Sequence, residues 1–71
     1  MGNDLKTNSR LVFGFIESHF LKTKEKLSVG DIVIPGINID DVQTIIYSLA
    51  NRGKIEIDKS SIQPYITKIL N

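Results

Sequence analysis

Residues 27–57 read LSVGDIVIPGINIDDVQTIIYSLANRGKIEI, and the clearest structural signals of the sequence lie within them. Its centre carries the signals of a helix, because Asn38 is a good N-cap and Gly53 stands where helices commonly end on a left-handed glycine. Between these two positions the apolar side chains recur at helical spacing, as Ile39, Val42, Ile45, Ile46, Leu49 and Ala50. The stretch therefore predicts one amphipathic helix with a single apolar face.

The segment before this helix contains a second, shorter element. Ser28 followed by Asp31 resembles a capping box, which predicts the start of a helix. The pair Pro35-Gly36 stops that helix after about a turn and a half. A short buried strand over residues 32–34 is the alternative, since a brief apolar run fits either element.

After Gly53 the apolar period changes from helical to alternating. Ile55 and Ile57 alternate with charged residues, which predicts a strand, and residues 58–61 read as a turn. Residues 62–70 allow a strand that pairs back as a hairpin, with Pro64 at its entry. They also match a helical stripe of Ile62, Tyr65, Ile66, Ile69 and Leu70. The strand is favoured, because a residue before proline avoids the helical backbone.

Upstream, residues 1–8 are polar and are predicted to be a flexible N-terminal end, which leaves residues 9–71 as the folded domain. Ser9 is the expected N-cap of a first helix, and this helix is expected to fray and end in the charged run of residues 22–26. One arc of this helix gathers its apolar side chains and a histidine, namely Leu11, Val12, Phe13, Phe15, Ile16, His19 and Phe20. We expect this arc to form much of the core.

Composition limits the class of protein. The 71 residues suffice for one small domain with a marginal core, and there is no cysteine. No apolar run approaches the about 18 residues of a membrane span, so we expect a cytoplasmic protein, or a nuclear one in a eukaryote. The net charge of +1 divides unevenly, as +2 over residues 1–26, −2 over 27–53 and +1 over 54–71.

The helix predicted up to Gly53 is joined to the strand by Leu49, Gly53 and Ile55, in the spacing Leu-x-x-x-Gly-x-Ile. Together with the order of elements over residues 27–57, this phrase resembles the winged helix-turn-helix superfamily. The resemblance implies a mainly α fold with a small β-hairpin: three helices plus a wing, with a C-terminal segment that is strand or short helix. Proteins of this architecture include DNA-binding transcription and replication regulators and subunits of complexes that never touch DNA.

The resemblance also implies a binding surface for duplex DNA, with the third helix in the major groove and the wing on phosphates. Carried onto this sequence, the DNA-binding residues are Gln43, Thr44, Tyr47, Ser48, Asn51, Arg52, Lys54 and Lys59. Other cations that we expect to help are Lys68 in the wing and Arg10, Lys22, Lys24 and Lys26 in the first helix.

Charge argues against this hypothesis and favours an alternative. Residues 27–53 are net negative, and Asp40 and Asp41 lie at the end of the helix that should approach DNA. The alternative is a protein-interaction module, because an exposed Tyr47 beside Arg52 is typical of interfaces. If the tail were a helix, its apolar stripe would also predict a homodimer.

The sequence offers little to support catalysis. His19 is the only histidine, lies in the apolar arc and is expected to be packed or at its boundary. Asp40 and Asp41 are adjacent on a helix and point about 100° apart, so they do not form one site. No glycine-rich phosphate loop occurs. We therefore expect no enzyme, no cofactor, no metal and no small-molecule substrate.

Overall fold

A computed structural model describes residues 5–70 of the chain as two helices packed on a three-stranded antiparallel sheet. The elements in chain order are α1 (Leu5–Lys22), β1 (Leu27–Ser28), a 3-10 turn (Val29–Asp31), α2 (Ile39–Asn51), β2 (Ile55–Asp58) and β3 (Tyr65–Ile69). The strand order is β1-β3-β2, so the last strand lies in the middle of the sheet.

The predicted architecture of three helices plus a wing is wrong. The described residues form two helices, and the fold is mixed α/β rather than mainly α. The predicted hairpin is present as β2 and β3, but a third strand joins it, because Leu27 and Ser28 pair with Ile66 and Tyr65 of β3. The described residues therefore form two helices and a three-stranded sheet in place of three helices and a two-stranded wing.

The short helix predicted after Ser28 is only a single 3-10 turn, Val29–Asp31. The Ser28 side chain does cap it, accepting a hydrogen bond from the Gly30 backbone N–H at 3.2 Å. The turn ends at Ile32, whose backbone is extended, so no helical hydrogen bonds continue toward Pro35. The alternative strand over residues 32–34 is also wrong, because this segment makes only one isolated bridge, Ile34 to Ile37.

Helix α1 begins earlier than its sequence suggests. It starts at Leu5, so Ser9 is inside the helix rather than its N-cap, and residues 5–8 do not belong to a flexible end. Residues 1–4 of that predicted end lie outside the described residues. Asn8 is buried at 6% exposure, which shows that this first turn packs against the rest of the domain.

Helix α2 confirms the local predictions at both of its ends. The Asn38 side chain accepts a hydrogen bond from the Asp41 backbone N–H at 2.9 Å, as an N-cap does. Gly53 has φ 74°, a left-handed conformation that glycine adopts without strain. The Lys54 N–H then donates to the Leu49 carbonyl at 3.0 Å, and the chain turns directly into β2.

The tail is a strand, as favoured, and the helical alternative is wrong. Tyr65–Ile69 pairs antiparallel with Ile55–Asp58, with an irregularity in register between Glu56 and Ile57. Pro64 is buried at the entry of β3, and its carbonyl accepts a hydrogen bond from the Val29 N–H at 3.4 Å. The helical stripe that would have predicted a homodimer is therefore not formed.

The core lies between the two helices and one face of the sheet. Its buried apolar side chains are Val12, Ile16, Leu27, Val29, Ile32, Ile37, Val42, Ile45, Ile46, Leu49, Ile55 and Ile66. Two residues of the predicted apolar faces lie outside it: Leu11 of α1 is 47% exposed and Ile39 of α2 is 42% exposed. The core therefore leaves part of the outer face of α1 uncovered.

Candidate functional site

The solvent-facing side of α2 carries a polar stripe along its whole length. Asp40, Thr44, Tyr47 and Asn51 are all exposed and follow one another at helical spacing of three or four residues. The opposite side is buried in the core, so this stripe is the face of α2 that a partner can reach. Its charge changes along the helix, with acidic residues at the N-terminal end and Arg52 just beyond the C-terminal end.

The turn between β2 and β3 approaches this stripe at Tyr47. The Lys59 Nζ lies 5.6 Å from the centroid of the Tyr47 ring, within the range of a cation–π contact. The turn is ordered by Asp58, whose Oδ1 accepts a hydrogen bond from the Ser60 backbone N–H at 2.9 Å. This hydrogen bond from Ser60 holds the pKa of Asp58 below its ordinary value. The turn therefore places a cation beside the exposed aromatic ring of α2.

Beyond the C-terminal end of α2 the structure forms a basic groove. Its volume is about 740 Å³, and Phe13 and Leu49 contribute the apolar side chains of its lining. The other lining residues are Lys6, Ser9, Arg10, Arg52 and Lys54. None of these described lining residues is acidic, so four cationic side chains surround one concave surface. That arrangement suits an anion.

Each cation reaches the groove because of a specific feature of the fold. Lys6 and Arg10 are four residues apart, so they lie on one face of the N-terminal part of α1. Arg52 and Lys54 flank Gly53, whose left-handed turn sends the chain from α2 into β2. Because α1 packs against α2, these two pairs from distant parts of the sequence lie across the same groove.

Arg52 is held in position by its own helix. Its Nη2 donates a hydrogen bond to the Ser48 Oγ at 3.2 Å, one turn earlier on α2. A cation at a helix C-terminus also interacts favourably with the exposed carbonyl groups there. Ser48 in turn lies beside Tyr47 and Asn51 on the helix surface, so the groove and the polar stripe of α2 form one continuous area.

We call the part of this area around the C-terminal half of α2 the basic surface, and it consists of Lys6, Arg10, Tyr47, Ser48, Asn51, Arg52, Lys54 and Lys59. It contains most of the residues predicted from the sequence, all of them from the C-terminal half of α2 onward. The other two are not part of it. Gln43 is half-buried, and Thr44 lies in the N-terminal half of the polar stripe, where its hydroxyl donates a hydrogen bond to the Asp40 carbonyl at 3.0 Å.

Lys6 is a residue of the basic surface that the sequence did not identify. It lies in the segment predicted to be flexible, and no local pattern indicates that α1 extends that far. The spacing of Lys6 and Arg10 was the available signal, because i and i+4 residues share a helix face. Only the packing of α1 on α2 brings this pair to Arg52 and Lys54.

The remaining cations named from the sequence do not join the basic surface. Lys22 lies about 18 Å along α1 from Arg10, given the rise of a helix, and Lys24 follows it. Lys26 Nζ is 4.5 Å from the centroid of the Tyr65 ring. Lys68 Nζ lies 3.7 Å from the Glu56 Oε1. None of these four lysines lines the basic groove.

His19 is partly buried, as expected for a packed or boundary side chain. Its Nε2 lies 2.7 Å from the Glu25 carbonyl oxygen, and its ring meets Phe20 edge to face at 4.8 Å between centroids. Within residues 5–70 there is no group of three or more His, Cys, Asp or Glu side chains placed to hold a metal ion.

Comparison with known proteins identifies no relative: no family model, curated protein or solved structure matches the chain. Among the described residues, neither helix combines the length and the apolar character that a membrane span needs. The chemistry of the basic surface is therefore the ground on which a function can be inferred.

Proposed function

We propose that this chain is a non-catalytic module that binds duplex DNA, in transcription or replication control, through its basic surface. The observation that carries the proposal is the convergence of Lys6, Arg10, Arg52 and Lys54 on one groove without an acidic lining residue. Neutralising phosphates releases the counterions condensed on DNA, and this release drives most protein–DNA affinity. A cluster of four cations is suited to two or more adjacent phosphates.

The C-terminal half of α2 supplies the groups that would contact bases or sugars. Asn51 is exposed, and a carboxamide makes paired hydrogen bonds to adenine in the major groove. Tyr47 offers a hydroxyl and an aromatic face. A helix is about 10–12 Å wide and the DNA major groove about 12 Å, so α2 fits into the major groove. Phosphates on one side of α2 would then contact the cations of the protein's basic groove, and phosphates on the other side would contact Lys59.

The charges at the two ends of α2 determine which end of the helix we expect to face DNA. The resemblance implied that the N-terminal half of the helix faces the bases, where Asp40 and Asp41 would repel phosphate. The basic surface instead favours approach of the C-terminal half, because its cations lie at that end. Its five cations are Lys6, Arg10, Arg52, Lys54 and Lys59, which limits the slope of log affinity against log salt to about −4.5.

The test is a titration of labelled random-sequence duplex at about 50 and about 200 mM salt. We compare the parent with Arg52→Ala/Lys54→Ala and with the control Lys22→Ala/Lys24→Ala, which removes the same charge at and just beyond the C-terminal end of α1. We expect the groove variant to bind at least tenfold more weakly and to lose about two units of salt slope. The control should keep the slope of the parent.

Two results would refute the proposal. One is an absence of binding at low salt, where charge-driven binding is strongest. The other is an equal loss in both variants, which would show that only net charge matters. If DNA binding were absent and the chain bound a protein partner, and if Tyr47→Ala abolished that binding, the chain would be the protein-interaction module that its sequence also suggested.

A further inference from the structure

The outer face of α1 carries a second groove, away from the core. Its volume is about 510 Å³, and its apolar lining consists of Leu11 and Phe15 of α1 with Ile34 from the segment between the 3-10 turn and α2. Leu11 is 47% exposed, and Val33, next to Ile34 in the chain, is 74% exposed. The domain therefore leaves a concave apolar strip uncovered beside a helix.

Gly14 lines this groove, and the fold does not require a glycine at that position. It lies inside α1, where glycine is less favourable than alanine because it increases the freedom of the unfolded chain. A Cβ built on Gly14 meets no atom within 4 Å, so no contact among the described residues forbids a side chain there. The missing side chain leaves a notch in the groove next to Leu11 and Phe15.

The two ends of the groove are both cationic. Arg10 lines one end and Lys22 lines the other, about 18 Å apart along α1. None of the described lining residues is acidic. The groove thus combines a mainly apolar centre, which Ser18 and His19 also line, with a positive charge at each end, over a length of about three helical turns.

This charge pattern argues against a second copy of the chain as the occupant. If two α1 helices packed antiparallel across the groove, Arg10 of one copy would face Lys22 of the other. If they packed parallel, Arg10 would face Arg10 and Lys22 would face Lys22. Either arrangement places like charges together at both ends, which is unfavourable. An occupant with a negative charge near each end would instead be complementary to Arg10 and Lys22.

We propose that this groove docks an acidic amphipathic helix of a partner protein. Apolar side chains of that helix, at i, i+4 and i+7, would pack on Leu11, Phe15 and Ile34, as in helix-in-groove recognition. One of them would enter the notch at Gly14. Its Glu or Asp residues would lie over Arg10 and Lys22. This groove shares Arg10 with the basic surface, but docking of the helix does not depend on DNA binding, because Leu11, Gly14, Phe15 and Lys22 lie outside that surface.

The probe is a helix-stabilised synthetic peptide with leucines at i, i+4 and i+7 and glutamates at both ends. A matched peptide has the same leucines and lysines in place of the glutamates. We expect the acidic peptide to bind one to one and at least tenfold more tightly than the lysine peptide. In the Lys22→Glu variant this preference should shrink by at least fivefold, while duplex DNA affinity changes by less than twofold.

Gly14→Gln separates binding from folding. Glutamine favours the helix more than glycine and has open space at this position, so the melting temperature should not fall. Its side chain fills the notch, so the acidic peptide should bind at least tenfold more weakly. Equal affinity for the two peptides, or unchanged binding by a folded Gly14→Gln, would overturn the proposal. So would a dimer of the parent, seen by light scattering, that Gly14→Gln abolishes.

Discussion

The Lys59 Nζ lies 5.6 Å from the centroid of the Tyr47 ring, which joins the turn between β2 and β3 to the middle of α2. These residues are far apart in the sequence, and Tyr47 remains 39% exposed beneath the contact. The lysine is therefore held beside the polar stripe of α2 without being removed from solvent. Both residues stay available to a ligand on the same surface.

Lys59→Ala should weaken binding to duplex DNA and lower the salt slope by about one unit, because one phosphate contact is lost. Tyr47→Phe keeps the aromatic ring under Lys59 and should leave the slope unchanged. Fluorescence anisotropy at several salt concentrations measures both. A Lys59→Ala protein with the slope of the parent would show that the turn does not contact phosphate.

Gly53 and Gly14 form a matched pair for a test of backbone conformation. An added Cβ meets no atom within 4 Å at either position, but Gly53 has φ 74° and Gly14 is helical. We expect Gly53→Ala to destabilise the domain by about 1–2 kcal/mol, because L-residues are strained in the left-handed region. Gly14→Ala should stabilise it by about 0.5–1 kcal/mol. Denaturant melts that show the same sign for both would contradict the assigned turn.

The core has a similar control. Ile16 is fully buried and Leu49 is 5% exposed, so truncating either to alanine should lower the free energy of unfolding by about 2–5 kcal/mol. Leu21 is 87% exposed, and Leu21→Ala should change the free energy of unfolding by no more than about 0.5 kcal/mol. Urea melts followed by circular dichroism compare the three. A Leu21 variant as unstable as the others would mean that α1 faces the core differently.

The features predicted correctly are those that short stretches of sequence determine. The Asn38 cap, the turn at Gly53 and the alternation of Ile55 and Ile57 each follow from local chemistry. Pro64 also correctly favoured a strand at β3, since proline restricts the residue before it. In each of these cases the deciding residues lie within a few positions of one another.

The features predicted wrongly depend on distant partners. Leu27 and Ser28 form a strand only because β3, almost 40 positions later, pairs with them. A helix of about one turn after Ser28 is too short to be stable by itself. The apolar residues of this segment reach the core from a 3-10 turn and an extended stretch instead. The early start of α1 likewise depends on packing that no periodicity of residues 5–8 reveals. The absence of that short helix is the reason that the described residues form two helices where three were predicted.

The candidate site was predicted in part for the same reason. Asn51, Arg52 and Lys54 follow from the helix and its end, whereas Lys6 joins them only through the packing of α1 on α2. From the sequence, the resemblance directed the N-terminal end of α2, with Asp40 and Asp41, toward DNA. In the structure the acidic and basic residues lie at opposite ends of that helix.

Asp40→Asn/Asp41→Asn tests this separation. Asp41 and Arg52 are about 17 Å apart along the helix axis, and the screening length at physiological salt is about 8 Å. If the C-terminal half of α2 approaches DNA, removing both charges should change the affinity by less than twofold at that salt concentration. A fivefold or greater gain in a binding titration would instead show that the N-terminal end of α2 faces the phosphates.

Binding of duplex DNA by the C-terminal half of α2 can be followed residue by residue in an amide-resolved NMR titration of the isotope-labelled chain at low salt. We expect the largest shift changes at Tyr47, Asn51, Arg52, Lys54 and Lys59 and in the first turns of α1, with Asp40 and Glu25 unaffected. Shift changes confined to the Asp40 end of α2 or to the outer groove of α1, or no shift changes at all, would contradict it.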